Sequence, residues 1–280
     1  MSTNPTLFEK KYMTTFLKHN LTIKETWLAS LQLYRKAFPK IWYLALSIGI
    51  VSITPKLTVS FSSKIGAIVC YIATFLAWAY LACLVLYRTY NISGEQDISL
   101  QNSIKYTNKR YIKVAISILI TSLLFILTTF ILAFLGFVIF VLFTAIPPSK
   151  NLLIAKYIGI IASGLSLALV GTLLAIVEPL ILFDDRGIWS AFKSSCKLIW
   201  SNWWHSFMAL LPFEFFYMIG SLMADYRLTL PQHGWYILSG DFLVNILSYP
   251  LLLVCTIILF NDLKLRKNKT SIIAAESTNL

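Results

Sequence analysis

Two glutamates stand where carboxylates are costly. Glu178, in AIVEPLILFDDRG, and Glu214, in LLPFEFFYMIG, fall inside apolar runs, next to or near a proline (Pro179 and Pro212). An acid at bilayer depth marks a substrate or proton path, or a polar tie between helices. The Pro179 ring frees the carbonyl of Ala175, so a polar cavity is expected nearby. Glu214 and His205 are nine residues apart, about 13 Å along a helix, so they can pair only with help from another helix. A second set is basic and aromatic: Arg35, Lys36, Lys193 and Lys197, with Trp200, Trp203 and Trp204 close in sequence. Cations beside tryptophans suit a headgroup layer, where indole is half apolar and each Lys or Arg attracts anionic lipid by about 1 kcal/mol.

Other chemistry lacks residues to carry it. The three histidines, His19, His205 and His233, are far apart, and no HExxH, HxxxH or CxxC spacing occurs. There is no GxSxG elbow and no Walker A loop. Cys70, Cys83, Cys196 and Cys255 read as small core hydrophobes rather than disulfides. No catalytic residue, metal or cofactor is expected, and the chain is expected not to be an enzyme.

The elements that position these residues are membrane spans. Of 280 residues 58% are hydrophobic and 13% charged, with mean hydropathy +0.73 and net charge +12. That composition excludes an ordinary soluble domain, a disordered chain and the usual nucleic-acid binder. Six apolar runs are long enough to cross about 30 Å of hydrocarbon. They are Ile41 to about Val59, Ile65 to Tyr87, Val114 to Ile146, Tyr157 to Leu182, Trp203 to Met223, and Phe242 to Phe260. The third is read as one long helix, tilted or bent near Gly136 and stopped by Pro147 and Pro148. The segment from Asp225 to Asp241, with Arg227, His233 and Trp235, reads as a closing loop. No cleavable signal peptide is read in the first twenty residues.

Lys and Arg set the orientation. The N-terminal segment, the second and fourth loops and the C-terminus carry 19 of them, and the other three loops carry 5. Cytoplasmic loops carry the excess, so both termini are expected in the cytoplasm.

Three inner segments read as interfacial amphipathic helices. The first has a stripe of Ile23, Trp27, Leu31, Tyr34 and Phe38, with Thr22 and Glu25 forming a capping box. The second has Leu100, Ile104 and Tyr111, capped by Asp97 or Ser99. The third has Ile188, Phe192, Cys196 and Ile199, opposed by Ser190, Lys193, Ser194 and Lys197. Asp184 and Asp185 precede it, where negative charge suits a helix start. Placing Trp27 on Trp189 aligns the first and third without a gap, with Trp42 on Trp204. The chain thus reads as one integral membrane domain over 1–280, with tails at 1–20 and 269–280. Its possible repeats span 21–92, 93–183 and 184–268, each an interfacial helix, a short link and two spans, in a pseudo-threefold bundle.

The stretch EPLILFDDRGIWSAFKSSCKLIWSNWWHSFMALL resembles the YciC-like bacterial inner-membrane proteins. It is also similar to the membrane domain fused to some glycerophosphodiester phosphodiesterases. Ala191, Lys193, Ser194, Leu198, Asn202, Trp203 and Trp204 carry the likeness, with an echo in Leu263 to Lys267. Position 196 departs from it, being Cys where a large or basic residue is expected. The resemblance implies a six-span protein of the bacterial inner membrane. It does not bring phosphodiesterase activity, because the catalytic fold is absent. The function expected is non-enzymatic, in envelope or lipid organisation, with membrane phospholipid rather than nucleic acid as partner. The alternative is a transporter or lipid-moving protein using Glu214 and Glu178 in an intramembrane cavity.

Overall fold

The computed structural model describes residues 20–58, 64–96, 98–143, 151–226 and 234–277. Among them the chain is helical and contains no strand. Helix α1 is Ile23–Thr58, α2 Lys64–Ser93, α3 Leu100–Asn108, α4 Tyr111–Phe143 and α5 Asn151–Ser166. A π-helical turn, Leu167–Gly171, and a single α turn, Thr172–Leu174, continue α5. Then come α6 Val177–Phe183, α7 Ile188–Trp200, α8 Trp203–Tyr226 and α9 Gly234–Ser277. Five stretches are long and apolar enough to cross a membrane: Ile23–Pro55, Lys64–Ser93, Tyr111–Ile139, Tyr157–Phe183 and Phe242–Asn268. The remaining expected crossing, Trp203 to Met223, falls on α8, whose side chains from 217 onward lie outside the described residues.

Two of the expected caps form. Thr22 Oγ1 accepts from the Glu25 amide at 3.3 Å, and Glu25 Oε2 accepts from the Thr22 amide at 2.7 Å. Ser99 accepts from the Asn102 amide and caps α3, while Asp97 lies outside the described residues. The expected cap of α7 does not form. Gly187 is its N-cap, with no side-chain hydrogen bond, and Asp184 and Asp185 make ion pairs instead.

Several boundaries differ from expectation. The first interfacial helix and first span are one helix through Pro39, with no link. The second and third have one, at Lys109–Arg110 and Ser201–Asn202. The expected closing loop is already helix from Gly234, with Arg227 and His233 outside the described residues, and the expected C-terminal tail is helical to Ser277. Gly136 lies within unbroken α4, where a Cβ would come within 3.0 Å of Ile158 Cγ2 on α5. Pro147 and Pro148 lie outside the described residues.

The apolar stripes of the first two amphipathic segments pack in part. Trp27 and Tyr34 of α1 and Ile104 of α3 are half-buried against the core. On α1 the deepest positions over residues 23–40 are Thr26, Ser30, Leu33 and Ala37, whereas Leu31 is 49% exposed. On α3 they are Ser103 and Thr107, and Leu100 is exposed. Lipid is as apolar as leucine, so helices in a bilayer pack through small and hydroxyl residues and turn large apolar ones outward. On α7 the expected stripe does pack, with Phe192 and Ile199 buried beside Ala191 and Ser195.

The core is a bundle of α1, α2, α8 and α9, with α4 and α5 packed against each other. Helix α6 packs among α2, α4, α7 and α9: Val177, Leu180, Ile181 and Leu182 are fully buried, with Ile41, Leu86, Ile257 and Phe260 in the same cluster. Outside, Leu123, Ile126, Phe130 and Phe134 of α4 are exposed, as a lipid-facing helix requires.

Side chains of other helices donate to backbone carbonyls in the bundle, one of them a carbonyl freed by proline. Pro212 has no amide to give Met208, four residues back. Trp27 Nε1 reaches across from α1 and donates to the carbonyls of Met208 (3.2 Å) and Ala209 (3.1 Å). The Tyr34 hydroxyl donates to the Leu247 carbonyl of α9. At the break between the Thr172–Leu174 turn and α6, the Ser195 hydroxyl donates to the Leu173 carbonyl at 2.7 Å. At the end of α6, the Tyr106 hydroxyl donates to the Leu182 carbonyl, also at 2.7 Å. Burial pushes the Tyr106 phenol up to about 12, despite the opposing pull of Arg110, so it remains a donor.

Trp27→Phe therefore leaves the Met208 carbonyl, which Pro212 has deprived of its helical amide, short of a donor, at a cost of about 1–3 kcal/mol. Its thermal unfolding temperature in detergent should fall. In a Pro212→Ala background, where an amide returns to Met208, the same change should cost less. Equal losses in both backgrounds would refute the assignment.

Candidate functional site

The basic end of the bundle is organised around one acid. Asp262 is fully buried on α9. Its Oδ1 accepts from the Leu21 amide at 2.8 Å, and its Oδ2 from Arg266 Nε at 2.7 Å. His205 Nε2, on α8, lies 3.1 Å from Oδ2, so that nitrogen carries the hydrogen. Arg266 Nη2 also donates to the Leu21 carbonyl. The start of α1, the start of α8 and the end of α9 are thereby tied at one carboxylate. His205 thus finds its acid in Asp262, on another helix, rather than in Glu214.

Asp184 forms a second tie. It accepts from Lys264 of α9 and lies 3.5 Å from Arg186 Nε. Arg186 also donates to the Ser194 hydroxyl of α7. Asp185, at φ 49°, faces Arg110 at 3.3 Å and Lys113 at 3.6 Å.

Between these ties lies a cavity of about 670 Å³. Four cations line it: Arg186, Lys197, Arg266 and Lys267. Ser194, Ser201 and Asn202 add polar groups, and Leu173, Leu198, Leu263 and Trp200 make its apolar wall. Amphipathic α7 places Lys197 and Trp200 there, one turn apart, and the turn at Ser201–Asn202 closes the side toward α8. Trp200 is 72% exposed, so its ring extends the wall outward. The site thus combines convergent polar groups and four cations with an apolar flank.

The expected headgroup residues divide. Lys197 and Trp200 line the cavity. Lys193 is exposed on α7 away from it. Arg35 and Lys36 are exposed on α1, where Lys36 lies 3.9 Å from Glu95. Trp203 stacks on Phe207 at 5.3 Å, and Trp204 is exposed beside them. Arg186, Arg266 and Lys267 were not singled out by spacing, although the echo over Leu263 to Lys267 contains two of them.

The two intramembrane glutamates have different surroundings. Glu214 is 8% exposed and packs against the π-helical turn, where a Cβ on Gly171 would stand 3.5 Å from its Oε1. Glu178 is half-buried on α6, within electrostatic reach of Cys83 on α2. Neither pairs with a described cation. The four cysteines form no disulfide, and Cys83 and Cys255 are buried. Among the described residues no cluster of His, Cys, Asp and Glu is arranged to hold a metal. No family model matches the chain, and comparisons with characterised proteins and with solved structures return no match.

Removing one partner of a buried ion pair typically costs about 3–5 kcal/mol. Asp262→Ala should therefore lower the unfolding temperature in detergent sharply. Asp185→Asn, at a side chain 59% exposed, should change it little, since exposed pairs contribute about 0–1 kcal/mol. Equal effects of the two would show that Asp262 is not the tie described.

Proposed function

We propose that the chain is a six-span protein of a bacterial inner membrane, with both termini in the cytoplasm, that organises envelope lipid by holding anionic phospholipid at the inner leaflet. It catalyses no reaction. The observation that carries this reading is the cavity between α7 and the end of α9, with four cations and an exposed tryptophan on its wall. Basic pockets between spans at the cytoplasmic face suit phosphate head groups. The 19-to-5 division of Lys and Arg supports the orientation. Helix α8, 24 residues long, has length for the remaining crossing, at about 1.5 Å per residue. The likeness to the YciC-like proteins supports the same compartment.

Native mass spectrometry of the protein extracted in mild detergent tests this reading. Wild type should retain anionic phospholipid, Lys197→Ala should retain several-fold less, and Lys193→Ala should behave as wild type. Equal lipid in all three would contradict the site.

A second reading, lipid or solute transport, draws on Glu214, buried beside a π-helical turn with no described cation partner. Such turns recur at functional sites. Transport predicts a flux in proteoliposomes that Glu214→Gln abolishes, and no flux from wild type would exclude it for the solutes and lipids tried.

A further inference from the structure

The balance of charge around the cavity limits what fills it. Asp184 is shared between Arg186 and Lys264, one carboxylate to two cations. Asp262 answers Arg266, and its other partners are an amide and an imidazole. Lys197 and Lys267 have no carboxylate partner among the described residues. Of the four cations that line the cavity, Arg186 and Arg266 thus each face an acid, leaving the charges of Lys197 and Lys267 at the wall. A head with one phosphodiester leaves one of them uncompensated, whereas a head with two leaves none. Opposite charges inside low-dielectric walls attract far more strongly than in bulk water, so each added phosphate counts.

The wall identifies the occupant further. Leu173, Leu198 and Leu263 give a soluble phosphate nothing to bury against, but they suit the glycerol and upper chain carbons of a lipid. Trp200, exposed at the rim, continues that apolar strip outward. The donors are held in place before anything binds: Arg266 is fixed by Asp262 and the Leu21 carbonyl, and Arg186 by Asp184 and Ser194. Fixed donors lose little freedom when a ligand arrives, which favours a tight and selective site.

We propose that the cavity is a site for a membrane lipid bearing two phosphodiesters on one head, the class of diphosphatidylglycerol. Its phosphates lie among Arg186, Lys197, Arg266 and Lys267, with its chains leaving past Trp200. This rests on the anionic-lipid reading above and adds the number of charges.

The test is a titration of delipidated full-length protein in neutral detergent, read by native mass spectrometry. The probes are tetraoleoyl diphosphatidylglycerol, dioleoyl phosphatidylglycerol at twice the molar amount to match charge, dioleoyl phosphatidylcholine, and inorganic phosphate as competitor. The two-phosphate lipid should half-saturate one site at least tenfold below phosphatidylglycerol, and millimolar phosphate should not displace it. Lys197→Ala/Lys267→Ala should lose most of that preference while keeping the wild-type circular dichroism spectrum. If the double variant does not fold, Lys267→Gln alone serves, and the wild-type comparison decides by itself. Equal binding of the two anionic lipids at matched charge would overturn this inference and leave the lipid reading standing. Anionic lipid bound no better than phosphatidylcholine would overturn both. Displacement by phosphate would mean that the site takes the free anion, which also contradicts the proposal.

Discussion

Within hydrocarbon no water is available to a carbonyl whose helix has been broken, and this structure is arranged around that constraint. Pro212 leaves the Met208 carbonyl without its helical amide, and Trp27 arrives from α1 to answer it. Other side chains donate to backbone carbonyls of neighbouring helices in the same way: Tyr34 to Leu247, Ser195 to Leu173 beside the break before α6, and Tyr106 to Leu182 at the end of α6. The donors all come from the three amphipathic segments, α1 near its start, α3 and α7. Those segments therefore add to the backbone hydrogen bonding of the helices they cover. Trp27 in particular is a donor within the bundle as well as an aromatic ring near the interface.

The same segments build the basic end. Helix α7, held to the α5 extension by Ser195, delivers Lys197 and Trp200 to the cavity. Helix α9, held by Asp262 to Leu21 and His205, delivers Arg266 and Lys267. The cavity exists because two helices far apart in sequence are tied at fixed carboxylates, and its charge follows because each carboxylate neutralises only part of the cation group around it. A buried acid that orders arginine is costly to desolvate. Here it also sets a guanidinium in the wall of the site, which is the proposed reason for its presence.

Much of the helical layout was legible in the sequence, because apolar runs of twenty or more residues have few other uses. The capping box at Thr22 and Glu25 and the Ser99 cap were legible because they depend on neighbours three residues apart. The deepest packing positions of α1 and α3 were not. Amphipathic periodicity picks out large apolar side chains, whereas small and hydroxyl residues let helices in lipid approach most closely, so Thr26, Ser30 and Ser103 are fully buried, Trp27, Tyr34 and Ile104 partly so, and Leu31 and Leu100 are exposed. The joined α1 was not legible because the change from a charged amphipathic stretch to an apolar run at Ile41 reads as a boundary, whereas the helix continues through it. Of the candidate site, Lys197 and Trp200 were legible from local spacing. Asp262, His205, Arg186 and Arg266 were not, since their partners lie up to 241 residues away and no local pattern records such a pairing. The two glutamates stand out in the sequence because they fall in apolar runs, and that placement does not say what they do.

An experimental structure of the protein in bilayer nanodiscs containing phosphatidylglycerol and diphosphatidylglycerol tests the central claim most directly. The account predicts ordered headgroup density within hydrogen-bonding distance of Arg186, Lys197, Arg266 and Lys267, with acyl density running past Trp200, on the same side of the bilayer as both termini. A cavity that holds only water in that bilayer, or basic residues facing the opposite leaflet from the C-terminus, would contradict it.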